Sequence, residues 1–116
     1  METLYKPKFD VLFMEEVHEF LAELDEKSRN KILYNIDKAR HYNDKVLFKK
    51  LQDEIWEFRT LYNSTYYRLF AFWDNSDKRS TLVISTHGIV KKTDKPPDKE
   101  IVKAERLRQL YYKLKK

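Results

Sequence analysis

The sequence predicts an α+β domain in the order β-α-α-β-β-β-α, with helices on one face of a mostly antiparallel sheet. Two changes of pattern carry this expectation. Between Met14 and Ala39 apolar residues recur at intervals of three and four, and from Ile55 to Thr86 the chain turns to alternating, aromatic-rich runs divided by short polar turns. A length of 116 residues sets the expectation of a single domain over residues 1–116, large enough for one core and too short for two.

In Lys6 to Phe13, Phe9, Val11 and Phe13 alternate with other residues, which predicts a first strand. From Met14, the positions Val17, Phe20, Leu21 and Leu24 share one helical face while Glu15, Glu16, Glu19 and Glu23 fill the rest. Asp25 or Ser28 suits the cap of a second helix with Ile32, Leu33, Ile36 and Ala39 inward, and the tight connection predicts an antiparallel pair. After Asn43, strands are expected at Ile55 to Thr60, Tyr66 to Trp73 and Ser80 to Thr86. The linkers Tyr62-Asn63-Ser64-Thr65 and Asp74-Asn75-Ser76-Asp77 make these a meander. Gly88 to Pro97 reads as a basic loop. Pro96-Pro97 bars an earlier helix start, so Asp98 caps a last helix with Ile101, Ala104, Leu107 or Arg108, and Tyr111 as its packing stripe.

Composition excludes several kinds of chemistry. With no cysteine there is no disulfide, zinc-thiolate site or thiol nucleophile, and with Gly88 alone there is no phosphate-binding glycine loop. The three histidines, His18, His41 and His87, are too scattered for a metal-ligand motif, so neither a metal nor a cofactor is expected. No apolar run is long enough to span a membrane, and Met1-Glu2-Thr3 lacks a secretory pattern, so the expected location is cytoplasmic. The net charge of +5 is uneven: residues 1–90 sum to −1 and residues 91–116 to +6. Such a tail attracts polyanions, RNA or DNA above all, or is simply a solvated basic helix; charge alone does not choose.

Strand alternation puts Ile55, Glu57 and Arg59 on one face and Trp56 and Phe58 on the other. With Trp56 and Phe58 inward, Glu57 and Arg59 face a side free of helices, where Tyr66 and Arg68 of the next strand can lie beside them. His87, Lys91-Lys92 and Lys49-Lys50 belong to the same end of the sheet. This set suits metal-free RNA cleavage, in which a base takes the 2′-OH proton, cations stabilise the phosphorane and an acid protonates the 5′-oxygen. Arg59 and Arg68 are the expected phosphate ligands, because a guanidinium fork stays charged and donates paired hydrogen bonds. His87 or Glu57 would exchange protons, and Tyr66 or Tyr67 would stack on a base. The alternative is a structural Glu57–Arg59 pair, an ordinary strand-end histidine and core aromatics.

The segments Phe48-Lys49-Lys50-Leu51, Ile55-Trp56-Glu57-Phe58-Arg59, Tyr67-Arg68-Leu69-Phe70 and His87-Gly88-Ile89-Val90-Lys91-Lys92-Thr93, with Pro97 and Glu100-Ile101, resemble the RelE/ParE superfamily. Within it the likeness is to the HigB-like, phage-derived group of toxins from type II toxin–antitoxin systems. The resemblance implies a compact RelE-like, microbial-ribonuclease-like fold. It also implies an endoribonuclease that inhibits translation by cleaving mRNA on the ribosome, and a helix-turn-helix antitoxin partner in a toxin–antitoxin hetero-oligomer. By the same resemblance Arg59 and Arg68 are the functional arginines, Lys49 and Lys50 the basic pair ahead of the strands, and His87 the histidine of the last strand. Asn63-Ser64-Thr65 replaces the glycine usual ahead of the Tyr-Arg strand. Two other readings stay open: a non-nucleolytic ParE-like toxin that binds DNA gyrase, and an inactive phage-derived structural relative.

Overall fold

The computed structural model describes residues 6–42, 44–76, 81–93 and 95–115. Its elements are β1 (Asp10–Phe13), α1 (Glu15–Ala22), α2 (Glu26–His41), β2 (Phe48–Gln52), β3 (Ile55–Tyr62), β4 (Thr65–Trp73), β5 (Leu82–Lys91) and α3 (Asp98–Leu114). The five strands form one sheet in the order β1-β5-β4-β3-β2. β1 runs parallel to β5 and every other pair is antiparallel. The α+β class and the mostly antiparallel sheet are as expected. The expected roles of Met1-Glu2-Thr3, Asn43, Asp77 and Ser80 fall outside the described residues.

The sheet departs from expectation at two strands. β2 was not foreseen, because adjacent Lys49 and Lys50 hide its alternation; it is an edge strand, where lysines are tolerated and discourage further pairing. β5 runs through the segment expected to be a loop from Gly88, since Ile89 and Lys91 pair with Arg68 and Tyr66. Ladder hydrogen bonding there overrides the basic composition. At Gly88, α1 comes so close that a Cβ would lie 2.6 Å from Phe20 Cδ2 and 2.7 Å from Leu69 Cδ2, so any larger residue would have to displace those side chains.

The helices do not share one face. On one side, Val17 and Leu21 of α1 and Ile32, Ile36 and Ala39 of α2 pack with Phe58, Leu69, Ala71 and Val83. On the other, Ile101 and Ala104 of α3 pack with Ile55, Phe70, Phe72 and Ile84. The reason lies in β4, where Leu69, Phe70, Ala71 and Phe72 are successive buried residues, so both faces need an apolar cover. Within α2, Asp25 caps the helix by accepting from the Ser28 N–H at 3.0 Å. Leu33, expected inside, is 39% exposed. Ser28 and Asn35 are buried in that layer, bonded to the Tyr67 hydroxyl at 3.1 Å and the Thr60 hydroxyl at 3.1 Å. Asp98 is the first residue of α3 and not its cap, a position held by Pro97.

Asn63 and Ser64, both at positive φ (52° and 58°), close the β3–β4 hairpin as a two-residue loop. Serine is strained in that region where glycine is not. Ser64→Gly is therefore expected to stabilise the protein by about 0.5–1 kcal/mol, read from the urea midpoint.

The far end of α3 is tied to the end of β4. Asp74, 3% exposed, accepts from the Ser76 N–H at 2.8 Å, from the Tyr111 hydroxyl, and from Lys115 Nζ at 2.6 Å. Burial works to raise its pKa, but the hydrogen bonds from Lys115, Ser76 and Tyr111 outweigh it and hold the carboxyl well below the ordinary range. A depressed carboxylate contributes stability above its unfolded pKa and loses it as pH falls toward the folded one. Asp74→Asn should cost about 1–3 kcal/mol at pH 7, and the difference from wild type should shrink below about pH 4; thermal melts across pH check both.

Candidate nucleic-acid interface

The face carrying α3 has two halves. Ile55, Phe70, Phe72 and Ile84 lie under the helix. Beyond it, odd positions of β2 and β3, even positions of β4 and Lys91 of β5 bring Lys49, Glu57, Arg59, Tyr66, Arg68 and Lys91 onto one polar strip. Arg59 is directly opposite Arg68, Lys49 opposite Glu57, and Tyr66 opposite Lys91. The strip is thus a product of register across four strands.

The two arginines meet one aromatic ring: the guanidinium carbons of Arg59 and Arg68 lie 5.5 Å and 5.0 Å from the Tyr66 ring centroid. Their environments differ. Arg59 is partly exposed. Arg68 is fully buried, with Nε 3.0 Å from Glu57 Oε1 and Nη1 donating to the Thr93 carbonyl at 2.9 Å. The Glu57–Arg68 contact is a close ion pair without hydrogen-bond alignment, for Arg68 Nε and Nη2 and both Glu57 oxygens have no hydrogen-bond partner. Burial pushes the Glu57 pKa up against the opposing charges of Arg68, Lys49 and Arg59. Lys49 Nζ reaches within 3.9 Å of the other carboxylate oxygen.

The expected open platform of two arginines is therefore corrected. Both point to one side of the sheet, but only Arg59 can meet a phosphate directly, because the segment after β5 closes over Arg68 and Glu57 holds its charge. Glu57 pairs with Arg68 and not with Arg59. The face is also not free of helices, since α3 covers its apolar half.

His87 lies on the same face one residue pair further along, opposite Phe70, and its ring stacks on Phe70 at 4.9 Å. It is 2% exposed, with Nε2 3.0 Å from Glu100 Oε1 on α3 and Nδ1 2.9 Å from the Thr86 hydroxyl. Burial lowers its pKa against the raising effect of Glu100, which favours the neutral ring, and an ionised Glu100 can only accept from Nε2. The geometry makes His87 a tie between sheet and helix, and brings it to no open surface. Tyr67 and Lys50 belong to the opposite face: Tyr67 packs in the α1/α2 layer and Lys50 sits opposite Trp56. Lys92 is exposed just past the end of β5. The Thr93 carbonyl left no sequence signal, whereas Glu100, in the first turn of a foreseen helix, was a visible candidate partner for a strand-end histidine.

Among the described residues no three His, Asp or Glu side chains gather as a metal site. None of the described helices is long and apolar enough to cross a membrane.

The family profile "Phage derived protein Gp49-like (DUF891)" matches residues 19–109, from the second half of α1 into α3. The chain belongs to this phage-derived Gp49-like family. No curated protein matches it. Among solved structures, this Gp49-like chain is similar to a chain of the toxin–antitoxin complex RelBE2 from Mycobacterium tuberculosis, at 13% identity and a TM-score of 0.55 over 80% of this chain and 100% of that one. The two share a fold.

The ion pair gives the arginines different mutational signatures. Arg68→Met strands a buried carboxylate and should cost about 3–5 kcal/mol at pH 7. Losing Arg68 raises the folded pKa of Glu57 further, so the cost should grow as pH climbs past the wild-type folded value and should be smaller at pH 4, where Glu57 is protonated in both proteins. Arg59→Ala should change stability by less than about 1 kcal/mol. Chemical denaturation of both variants at the two pH values checks this.

Proposed function

We propose that this Gp49-like protein is the toxin of a toxin–antitoxin pair and a metal-independent endoribonuclease of the HigB-like kind, acting on mRNA in the ribosome. The observation that carries the reading is the strip of Lys49, Arg59, Tyr66 and Lys91, three cations and an aromatic ring on one side of the sheet. The fold shared with a chain of a toxin–antitoxin complex and the membership in a phage-derived family support it. They also support a partner antitoxin.

In the proposed reaction Arg59 grips the scissile diester, and Lys49 and Lys91 add positive charge where the phosphorane gathers negative charge. The 2′-oxygen gives its proton to solvent water and bonds to phosphorus as the bond to the 5′-oxygen breaks, leaving a 2′,3′-cyclic phosphate and a 5′-hydroxyl that takes a proton from water. Arg68 and Glu57 are positioning residues: Arg68 stiffens Tyr66 from behind, and Glu57 removes the repulsion between the arginines. Tyr66 offers its ring to a base. With cations and a phenol as the reachable groups, the acceleration comes from charge and from holding the strand in line for attack, which a ribosome-bound message favours.

Induced in cells or added to a translation extract, the protein should halt translation and cut mRNA in the A site. Arg59→Ala should reduce cleavage at least about 100-fold, with an unchanged melting temperature. Intact message in the presence of folded wild-type protein overturns the reading, and supercoiling defects with intact message transfer the protein to the gyrase-binding class.

A further inference from the structure

We propose that a second site, a cavity on the α1/α2 side of the sheet beside the β2 edge, binds a nucleotide, stacking its base on tryptophan and holding its phosphate on lysine. The cavity has a volume of about 460 Å³, within the range of pockets that enclose small ligands. Its aromatic lining includes Phe48, Trp56 and Trp73. Phe48 and Trp56 are stacked at 4.8 Å, and Trp73 stands edge-on to Trp56 at 5.9 Å and 85°. The two indoles thus form adjoining walls of a slot, and each is only half-buried.

Lys8, Lys45 and Lys50 also line this cavity, all exposed. The acidic residue among the lining groups, Asp44, has its Oδ1 occupied by the N–H groups of Val46 at 2.9 Å and Leu47 at 3.3 Å. An apolar ligand would leave the ammonium groups without counter-charge, and a simple anion would leave the indoles facing water. An aromatic anion satisfies both, and a nucleotide combines a flat base with a phosphate at one end. Lys49 joins the two sites, lining the cavity while its Nζ lies 3.9 Å from Glu57 on the strip. A single RNA strand crossing the β2 edge would meet cations on both sides of the sheet. The inference rests on the RNA reading above only for that strand; the cavity's chemistry fits a free nucleotide equally.

Trp56 and Trp73 are the chain's two tryptophans, so intrinsic fluorescence reports on this cavity. The protein is titrated with AMP, adenosine, a short oligoadenylate RNA and an acidic peptide. AMP and the RNA should quench emission saturably, with adenosine binding more weakly for want of the phosphate. The Lys45→Ala/Lys50→Ala variant, both exposed positions, should raise the Kd for AMP about tenfold with an unchanged melting curve. Arg59→Ala should leave AMP binding as in wild type, which separates failure here from failure of the strip. Equal affinities for AMP and RNA identify a free nucleotide as the ligand, and a much tighter RNA identifies a strand. Emission indifferent to both, quenching that the lysine variant leaves unweakened, or quenching by the acidic peptide alone overturns the proposal.

Discussion

Arg59 and Arg68 occupy directly opposed positions on β3 and β4, where two like charges repel at the shortest cross-strand spacing a sheet offers. The structure resolves this with two groups. Glu57, diagonal to Arg68, brings a carboxylate to 3.0 Å from Nε, and the Tyr66 ring stands within 5.5 Å of both guanidinium carbons. One charge is neutralised and buried while the other stays at the surface. The shape of the polar strip and the exposure of Arg59 follow from this division, as does the sensitivity of the fold to Arg68.

The rest of the architecture keeps that arrangement in place. α3 covers the apolar half of the same face and stops short of the polar half. Its first turn is anchored through Glu100 to His87, and its far end through Tyr111 and Lys115 to Asp74. A Lys103–Glu16 bridge of 2.7 Å adds a link to α1 on the other layer. With the helix fixed at both ends, the segment after β5 is led across Arg68, and the Thr93 carbonyl accepts from its Nη1. The buried pair is costly to desolvate, so it sets the position of the surface cations more than it adds to stability.

Much of this was legible in the residues because the signals were local. The periods of α1 and α2, a cap at Asp25 or Ser28, the alternation that sends Glu57 and Arg59 to one side, and the placing of Tyr66 and Arg68 on one face of the next strand all follow from side-chain geometry. What escaped depended on distant partners. β2 was hidden by its paired lysines, the length of β5 by a basic composition that pairing overruled, and the position of α3 by the two-sided burial of β4. The fate of Arg68 was least accessible, since a backbone carbonyl leaves no trace in a sequence. Tyr67 and Lys50 went to the far side by the same alternation that gathered their neighbours.

A buried, neutralised arginine behind a partly exposed one gives the strip a fixed shape before any ligand arrives, as the proposed charge stabilisation of a phosphate would require. The claim beneath this is that Glu57 and Arg68 act as one unit. A double-mutant cycle on folding stability with Glu57→Gln and Arg68→Met measures it directly. Coupling of about 2 kcal/mol or more, the double variant being less destabilised than the sum of the singles, is the expected result. Additivity within about 0.5 kcal/mol would contradict it.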